Sequence, residues 1–92
     1  MKVFTTECKD TATGYAMVLA DCSYNFACDW LERTLAKYNV DIYDCKKDSK
    51  TGFTVLKSGQ YSPILGEYIP CRKYYYDETR GCLLGEWGGI IC

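Results

Sequence analysis

The residues of this sequence with the widest chemical repertoire are its cysteines, of which there are seven in 92 residues. They are Cys8, Cys22, Cys28, Cys45, Cys71, Cys82 and Cys92. A cysteine can form a disulfide, ligate a metal, act as a nucleophile or fill a core as a small apolar side chain. These uses require different spacings and different partner residues, so each can be tested against the sequence.

A structural zinc site is disfavoured by the spacing. Such sites usually draw their ligands in close pairs, so that one turn of the chain presents two of them. The sequence has no CxxC and no histidine, and its nearest two cysteines, Cys22 and Cys28, are six residues apart. We therefore expect no metal site, and no motif in the chain predicts another cofactor.

The sequence is compatible with two states of the cysteines, disulfide-bonded and reduced. The cysteine density approaches that of small secreted proteins held together by bridges, but an odd count leaves one thiol over. Cys22 continues the alternation of the segment YAMVLA, Cys28 flanks the apolar face of a predicted helix, and Cys45 ends a predicted strand. These positions favour reduced thiols that act as small buried hydrophobic residues, with a secreted chain carrying three bridges as the alternative.

Catalytic chemistry is difficult to build from these residues. A Cys or Ser nucleophile would lack histidine, its commonest base. The glycine-rich segment GEWGG has no lysine and opens no predicted helix, so it does not match a phosphate-binding loop. Asp77 and Glu78 are adjacent in a predicted turn, where we expect both to be solvated, and Asp41 and Asp44 fall on opposite faces of a strand. The sequence therefore predicts a protein that is not an enzyme.

Length and composition predict one small folded domain, residues 1–92. The chain is 48% hydrophobic and 25% charged, which favours a globular core over disorder. A net charge of −1 argues against general nucleic-acid binding, and no apolar run approaches the roughly 20 residues of a membrane helix. The opening MKVFTTECKD turns polar too early for a signal peptide. A cytoplasmic location is therefore predicted, with a mature secreted chain as the alternative.

The first half of the chain predicts a hairpin followed by a helix. Lys2 to Glu7 alternates as a first strand, KDTATG is a turn, and YAMVLA is a second strand. A helix then begins at a cap, Ser23 or Asp21, and stops near Asn39. Its apolar face is predicted to contain Ala27, Leu31, Leu35 and Tyr38, beside Trp30 and Thr34. On its outer face, Asp29 and Arg33 are spaced for a favourable ion pair.

The second half predicts two further hairpins. Val40 to Cys45 and Phe53 to Lys57 are separated by a polar loop containing Gly52. A third hairpin turns at Asp77 to Gly81, which should place Pro70 at a sheet edge or a bulge. The predicted fold is α+β: a small antiparallel sheet of order ββαββ plus an irregular C-terminal hairpin, with one helix packed on one face.

The aromatic residues of the second half predict a binding surface. Tyr, Trp and Arg dominate the energetics of protein interfaces, and strand alternation should turn at least one tyrosine of the run 74–76 outward. The half carries seven basic and five acidic side chains, so its net charge is positive. The candidate partner-binding residues are Arg72, Lys73, Tyr74, Tyr75, Tyr76, Arg80 and Trp87.

The segment CRKYYYDETRGCLLGEWGG resembles the middle of a Kunitz protease inhibitor. That family has an aromatic triplet before a cysteine and an aromatic-Gly-Gly five residues after it, here Tyr74 to Tyr76, Cys82 and Trp87 to Gly89. The resemblance covers about 20 residues, and it departs where Ile90 and Ile91 separate the Gly-Gly from Cys92. The closing helix of the family, with two more cysteines, has no counterpart here. We attribute the likeness to shared hairpin chemistry.

The order of elements over residues 2–57 is similar to that of small phage-encoded inhibitors, including anti-CRISPR proteins. The likeness lies in the strand that leads directly into a short helix, TGYAMVLADCSYNFACDWLERTL, and then into a meander. Such proteins block CRISPR surveillance complexes by occupying a surface, without a catalytic site. The resemblance is architectural and transfers no individual functional residue.

These observations predict a non-enzymatic binding protein, specifically a phage inhibitor of a host defence complex such as a CRISPR surveillance complex. The expected partner is a host protein or ribonucleoprotein, with at most a local contact to guide RNA and no membrane. The alternative hypothesis is a secreted disulfide-rich inhibitor or effector. A Kunitz-like protease inhibitor would belong to this class. A small RNA-binding regulator is the third hypothesis.

Overall fold

The computed structural model describes residues 15–19 and 22–86 of the chain. Five strands form one antiparallel sheet in the order β1-β5-β4-β3-β2. The elements in chain order are β1 (Tyr15–Leu19), α1 (Tyr24–Ala36), β2 (Asp41–Lys47), β3 (Thr54–Ser62), β4 (Glu67–Asp77) and β5 (Cys82–Glu86). The predicted α+β fold is confirmed. The predicted first strand, Lys2 to Glu7, lies outside the described residues.

Helix α1 starts and ends where its local chemistry dictates. The Ser23 hydroxyl accepts a hydrogen bond from the backbone N–H of Phe26 at 3.2 Å, which confirms Ser23 as the cap. At the other end, Asn39 adopts a left-handed conformation with φ of 55°, a backbone geometry that asparagine tolerates better than most residues. The N–H of Val40 returns to the carbonyl of Leu35 at 3.1 Å, which redirects the chain into β2.

The helix must cross a face of the sheet, because it connects β1 at one edge to β2 at the other. Three helix residues, Ala27, Leu31 and Leu35, are buried against that face, which we call the front face. The sheet supplies Leu56, Tyr74, Tyr76 and Leu83 to the same cluster. The spacing of four therefore placed Ala27, Leu31 and Leu35 correctly, but the prediction for Tyr38 is wrong: it lies beyond the end of α1 and is 62% exposed.

The opposite side of the sheet, the back face, carries a second cluster of buried residues. Tyr75, Cys82 and Leu84 form it, with Phe53 and Val55 packed against them. These residues alternate with the front-face residues along β3, β4 and β5, as the two-residue period of a strand requires. The sheet is therefore apolar on both faces near the β4–β5 turn.

The predicted hairpins β2–β3 and β4–β5 are confirmed, and β2 continues past the predicted end at Cys45 to Lys47. Pro70 lies at a bulge, as predicted: Ser58 pairs with Arg72 and Gly59 with Pro70, so Cys71 is an extra residue on β4. No helix within residues 15–19 and 22–86 is long and apolar enough to span a membrane.

Candidate protein-binding surface

The three consecutive tyrosines that the sequence marks as binding anchors are buried. Tyr74, Tyr75 and Tyr76 have exposed fractions of 1%, 7% and 5%. Tyr75 does point away from its two neighbours, as alternation requires, but it packs into the back-face cluster there. The prediction that at least one of them is exposed is wrong, because both faces of this end of the sheet carry a cluster of buried residues.

Tyr76 is a structural residue with a defined hydrogen bond. Its hydroxyl donates to the backbone carbonyl of Cys22 at 2.7 Å, and its ring meets the Tyr24 ring edge-on with centroids 5.5 Å apart. Burial raises the pKa of the Tyr76 phenol, so the hydroxyl keeps its proton for this bond. These contacts join the start of α1 to β4.

The predicted basic residues are separated along β4. Arg72 and Lys73 are exposed beside the bulge in the middle of β4. Arg80 lies in the β4–β5 turn, which follows the last residue of β4. Arg80 donates through Nε to the Asp77 carboxylate at 2.6 Å, so it forms part of the turn. Trp87 lies outside the described residues. The six predicted residues that the structure describes thus do not form one surface.

The prediction that Asp77 is solvated is wrong, because its side chain is buried. Its Oδ1 atom accepts hydrogen bonds from the backbone N–H groups of Thr79 and Arg80 at 3.1 and 3.3 Å. Its neighbour Glu78 is exposed, and pairs with Lys47 at 3.4 Å. The two adjacent carboxylates therefore have different environments, and Asp77 holds the turn that follows β4.

A different surface is presented by the distal part of the β3–β4 hairpin. The pairing of β2 with β3 ends at Asp41 and Gly59, and the pairing of β5 with β4 ends at Gly85 and Tyr74. Within the part of the chain that the structure describes, residues 60–69 therefore extend beyond both neighbouring strands as a two-stranded ribbon. We call residues 60–69 the hairpin arm.

The hairpin arm exposes more large apolar side chains than any other described segment of its length. Ile64, at the turn, is 95% exposed and Tyr61 is 53% exposed. Single exposed apolar residues are ordinary, but a contiguous group marks an interaction site more often than chance. Together with the adjacent Tyr43 of β2, these residues form what we call the arm surface: Tyr43, Tyr61, Ile64, Leu65, Tyr68 and Ile69.

The tyrosines of the arm surface pack against one another. Tyr43 stacks on Tyr68 with ring centroids 4.9 Å apart and an interplanar angle of 8°. Tyr61, which faces Tyr68 across the strands, meets it edge-on at 5.2 Å. Each contact is of a favourable aromatic type, so the rings are held in place before any partner arrives.

Gly59 makes room for this stack. A Cβ atom at this position would lie 3.0 Å from a ring carbon of Tyr43 and 2.5 Å from the backbone carbonyl oxygen of Ile69. The approach to the Ile69 carbonyl requires a shift of the chain for any larger residue, and the approach to Tyr43 requires its ring to move by a few tenths of an ångström. The glycine therefore allows the Tyr43 side chain and β4 to approach the base of the hairpin arm.

The turn of the hairpin arm is fixed by its own hydrogen bonds. The N–H of Gly66 donates to the Ser62 carbonyl at 2.8 Å, and the N–H of Leu65 donates to the Ser62 hydroxyl at 3.3 Å. Gly66 has a φ of 67°, which glycine adopts without steric cost. This turn presents Ile64 and Leu65 outward on ordered backbone.

Charges of both signs surround the base of the hairpin arm. Lys57 pairs with Asp44 at 3.6 Å and lies opposite Lys73 across the strands. Arg72 adds a third basic side chain and Asp41 a second acidic one, while Glu67 lies at the turn end of the arm, opposite Ser62. The base is close to neutral, so contact with a partner would depend mainly on the apolar and aromatic side chains.

The outer side of α1 carries a surface pocket. A pocket of about 220 Å³ is lined by Phe26, Asp29, Trp30, Arg33, Thr34 and Lys37. Asp29 and Arg33 form the predicted ion pair there. The exposed Phe26 ring adds an aromatic side chain to this otherwise charged face, which the sequence did not predict.

The cysteines are less buried than predicted. Of the five in the described residues, Cys82 alone is buried, Cys22 and Cys28 are partly buried, and Cys45 and Cys71 are exposed. No three potential metal-binding side chains converge within residues 15–19 and 22–86. The exposure of Cys45 fits its place on β2, which is at the edge of the sheet that the described residues form.

Two of these thiols meet at a tyrosine. The Tyr24 hydroxyl shares a 2.9 Å hydrogen bond with Cys45 Sγ, and the Cys28 thiol interacts with the same hydroxyl. Both interactions raise the pKa of Tyr24 above its usual value, and burial raises the pKa of the Cys28 thiol. The cluster links the first turn of α1 to β2.

Comparison with known proteins provides no relative from which a function could be transferred: no family model, curated protein or solved structure matches this chain.

Proposed function

We propose that this protein is a non-enzymatic binding protein that inhibits a partner by occupying its surface with the hairpin arm. The observation that carries the proposal is the arm surface, which combines exposed aliphatic residues at the turn with a pre-stacked group of tyrosines. Tyrosine contributes large contact area at low entropic cost, and such residues anchor many protein interfaces.

The position of the arm surface supports the same function. A ribbon that extends beyond its sheet can enter a groove of a larger partner, which a flat sheet face cannot do. Its near-neutral base favours a partner contacted mainly through apolar side chains, so a protein surface fits better than exposed nucleic acid. The secondary role of Arg72 and Lys73 is then to flank the contact.

For the target we propose a host defence complex of the CRISPR surveillance type. Support for this choice comes from the architectural resemblance to small phage inhibitors over residues 2–57. A complex that carries a guide RNA is anionic, and the exposed Arg72 and Lys73 would lie beside it when the hairpin arm is bound. Any RNA contact would be confined to these two residues.

The test uses the full chain with purified surveillance complexes and their target DNA. Binding is measured by interferometry, and inhibition is measured as loss of target-DNA binding. The variant Ile64→Asp with Leu65→Asp should weaken binding at least 30-fold, because hot-spot residues contribute about 2 kcal/mol or more each. Its melting temperature should be nearly unchanged, since both side chains are exposed.

Two further variants locate the surface. Arg72→Glu with Lys73→Glu should weaken binding by a smaller factor, and the effect should shrink at high salt. Glu32→Lys with Lys37→Glu, on the outer side of α1, is the matched control and should bind normally. Loss of binding in the helix variant with full binding in the Ile64/Leu65 variant would move the site to the helix pocket.

Capture from bacterial lysate tests the target class. A tagged chain should retain a ribonucleoprotein that the Ile64/Leu65 variant does not retain, and RNase should release part of it. Retention of a protein that contains no RNA would leave the arm as the binding surface but would contradict the choice of target.

A further inference from the structure

The cluster of Tyr24, Cys28 and Cys45 has no role in the proposed binding surface, yet it brings two thiols from different elements together. Cys28 is one helical turn after Tyr24 on α1, and Cys45 is on β2. Cys45 Sγ is 2.9 Å from the Tyr24 hydroxyl, and residues four apart on a helix have neighbouring side chains, so one thiol of α1 and one thiol of β2 lie beside Tyr24.

The backbone places both thiols on the same side of the sheet. Cys45 pairs with Leu56, a front-face residue, and Cys28 packs against the front-face cluster from α1. A rotamer change at a cysteine moves its sulfur by about 3 Å. The Tyr24 side chain lies at the surface and can turn aside, since it is more than one-third exposed. Movement of side chains alone can therefore bring the two sulfurs towards bonding distance.

We propose that Cys28 and Cys45 are an oxidation-sensitive pair that forms a disulfide between α1 and β2 when the protein meets a peroxide. Cys45 is exposed on an edge strand and is the thiol that a peroxide reaches first. Cys28 is partly buried beside it and is placed to resolve the oxidised sulfur. The proposal is independent of the hairpin arm and of its partner.

The reaction balances with hydrogen peroxide as the oxidant. The Cys45 thiolate attacks one peroxide oxygen, the O–O bond breaks, and hydroxide leaves with Cys45 as a sulfenic acid. The Cys28 sulfur then attacks the Cys45 sulfur, the S–S bond forms, and the sulfenic oxygen leaves as water. In sum, two thiols and one peroxide produce one disulfide and two waters.

The other described cysteines are less suited to this reaction. Cys22 precedes α1 and lies beside the β4–β5 turn, where its backbone is hydrogen-bonded to Gly81 and to the Tyr76 hydroxyl. Cys71 is exposed at the bulge of β4, where its thiol contacts the carbonyl of Ile69 at 3.8 Å. Cys82 is buried in the back-face cluster, on the side of the sheet away from α1. Selectivity for Cys28 and Cys45 therefore follows from their shared position between helix and edge strand.

The experiment treats the folded, pre-reduced chain with a small excess of hydrogen peroxide and follows its intact mass. A loss of about 2 Da is expected, and the melting temperature should rise by roughly 10 °C, because the bridge closes the loop between residues 28 and 45. After the remaining thiols are alkylated, chymotryptic cleavage separates Cys28 from Cys22 and allows the bridge to be assigned.

Three variants complete the test. Cys28→Ser and Cys45→Ser should each lose both the mass change and the rise in melting temperature, while Cys71→Ser, the matched exposed control, should keep them. A bridge mapped to any other pair, or oxygen addition without a bridge, would overturn the proposal. The mapping in the unmodified chain decides the question even if a serine variant does not fold.

Discussion

At the scale of single residues, Gly59 connects backbone geometry to the candidate surface. Its missing side chain lets the Tyr43 ring and the Ile69 carbonyl approach β3 at the same point. The sequence shows only a glycine within an alternating segment, a pattern that indicates a bulge or a close approach without identifying the neighbour. The neighbour is known only once β2 and β4 are both in place.

We expect Gly59→Ala to destabilise the fold by about 1–3 kcal/mol, because the added Cβ forces the chain at Ile69 to shift. The free energy of unfolding can be measured in urea. Gln60→Ala, one residue further on, is the control, since Gln60 is exposed and its side-chain hydrogen bond to Tyr38 is long at 3.4 Å. Equal stability of the two variants would mean that the approach at Gly59 is not tight.

Asp77 and Glu78 provide a matched pair of adjacent carboxylates. Asp77→Ala should cost about 2–3 kcal/mol, because it removes the acceptor of two backbone N–H groups and of the Arg80 side chain. Glu78→Ala should be nearly neutral, since its pair with Lys47 is exposed. The melting temperatures of the two variants test this prediction. A lower melting temperature for Glu78→Ala than for Asp77→Ala would show that the turn does not depend on Asp77.

At the scale of elements, α1 is held to the sheet by three buried residues on one face. Leu31→Ala and Leu35→Ala should each destabilise the protein by about 2–5 kcal/mol, since each leaves a cavity in the front-face cluster. Glu32→Ala, between them on the outer side, should change the unfolding free energy little. Near-neutral values at both leucines would contradict the packing of the helix on the front face.

The hairpin arm is an element that the sequence does not predict. Hydrophobic periodicity weakens around the turn in its residues, QYSPILGEYI. The aromatic triplet is the stronger signal, but composition alone cannot distinguish a buried tyrosine from an exposed one. Burial depends on which strands flank β4, and this differs between its two halves.

At the scale of the whole molecule, the oxidation state of the cysteines decides between the two compartments. We expect protein purified from a reducing cytoplasm to have the same intact mass with and without reductant, and to titrate about seven thiols when denatured. A mass about 6 Da lower before reduction would indicate three bridges and would favour the secreted alternative. A loss of about 2 Da would match a single Cys28–Cys45 bridge.

The sequence by itself determined most of the local structure. The Ser23 cap, the helix face with Leu31 and Leu35, the two hairpins and the bulge beside Pro70 all follow from interactions over a few residues. Such features depend on side-chain period, backbone φ and capping groups, and these are properties of short segments. They were predictable because tertiary contacts reinforce them and do not compete with them.

Only the tertiary structure decided which residues can be reached by a partner. The pairing of β1 with β5 joins segments more than 60 residues apart, and no local pattern encodes it. With α1 across the front face and the back-face cluster beside β5, Tyr74 to Tyr76 are buried, while residues 60–69 extend past the neighbouring strands. Exposure depends on long-range neighbours, so the candidate surface could not be derived from the sequence alone.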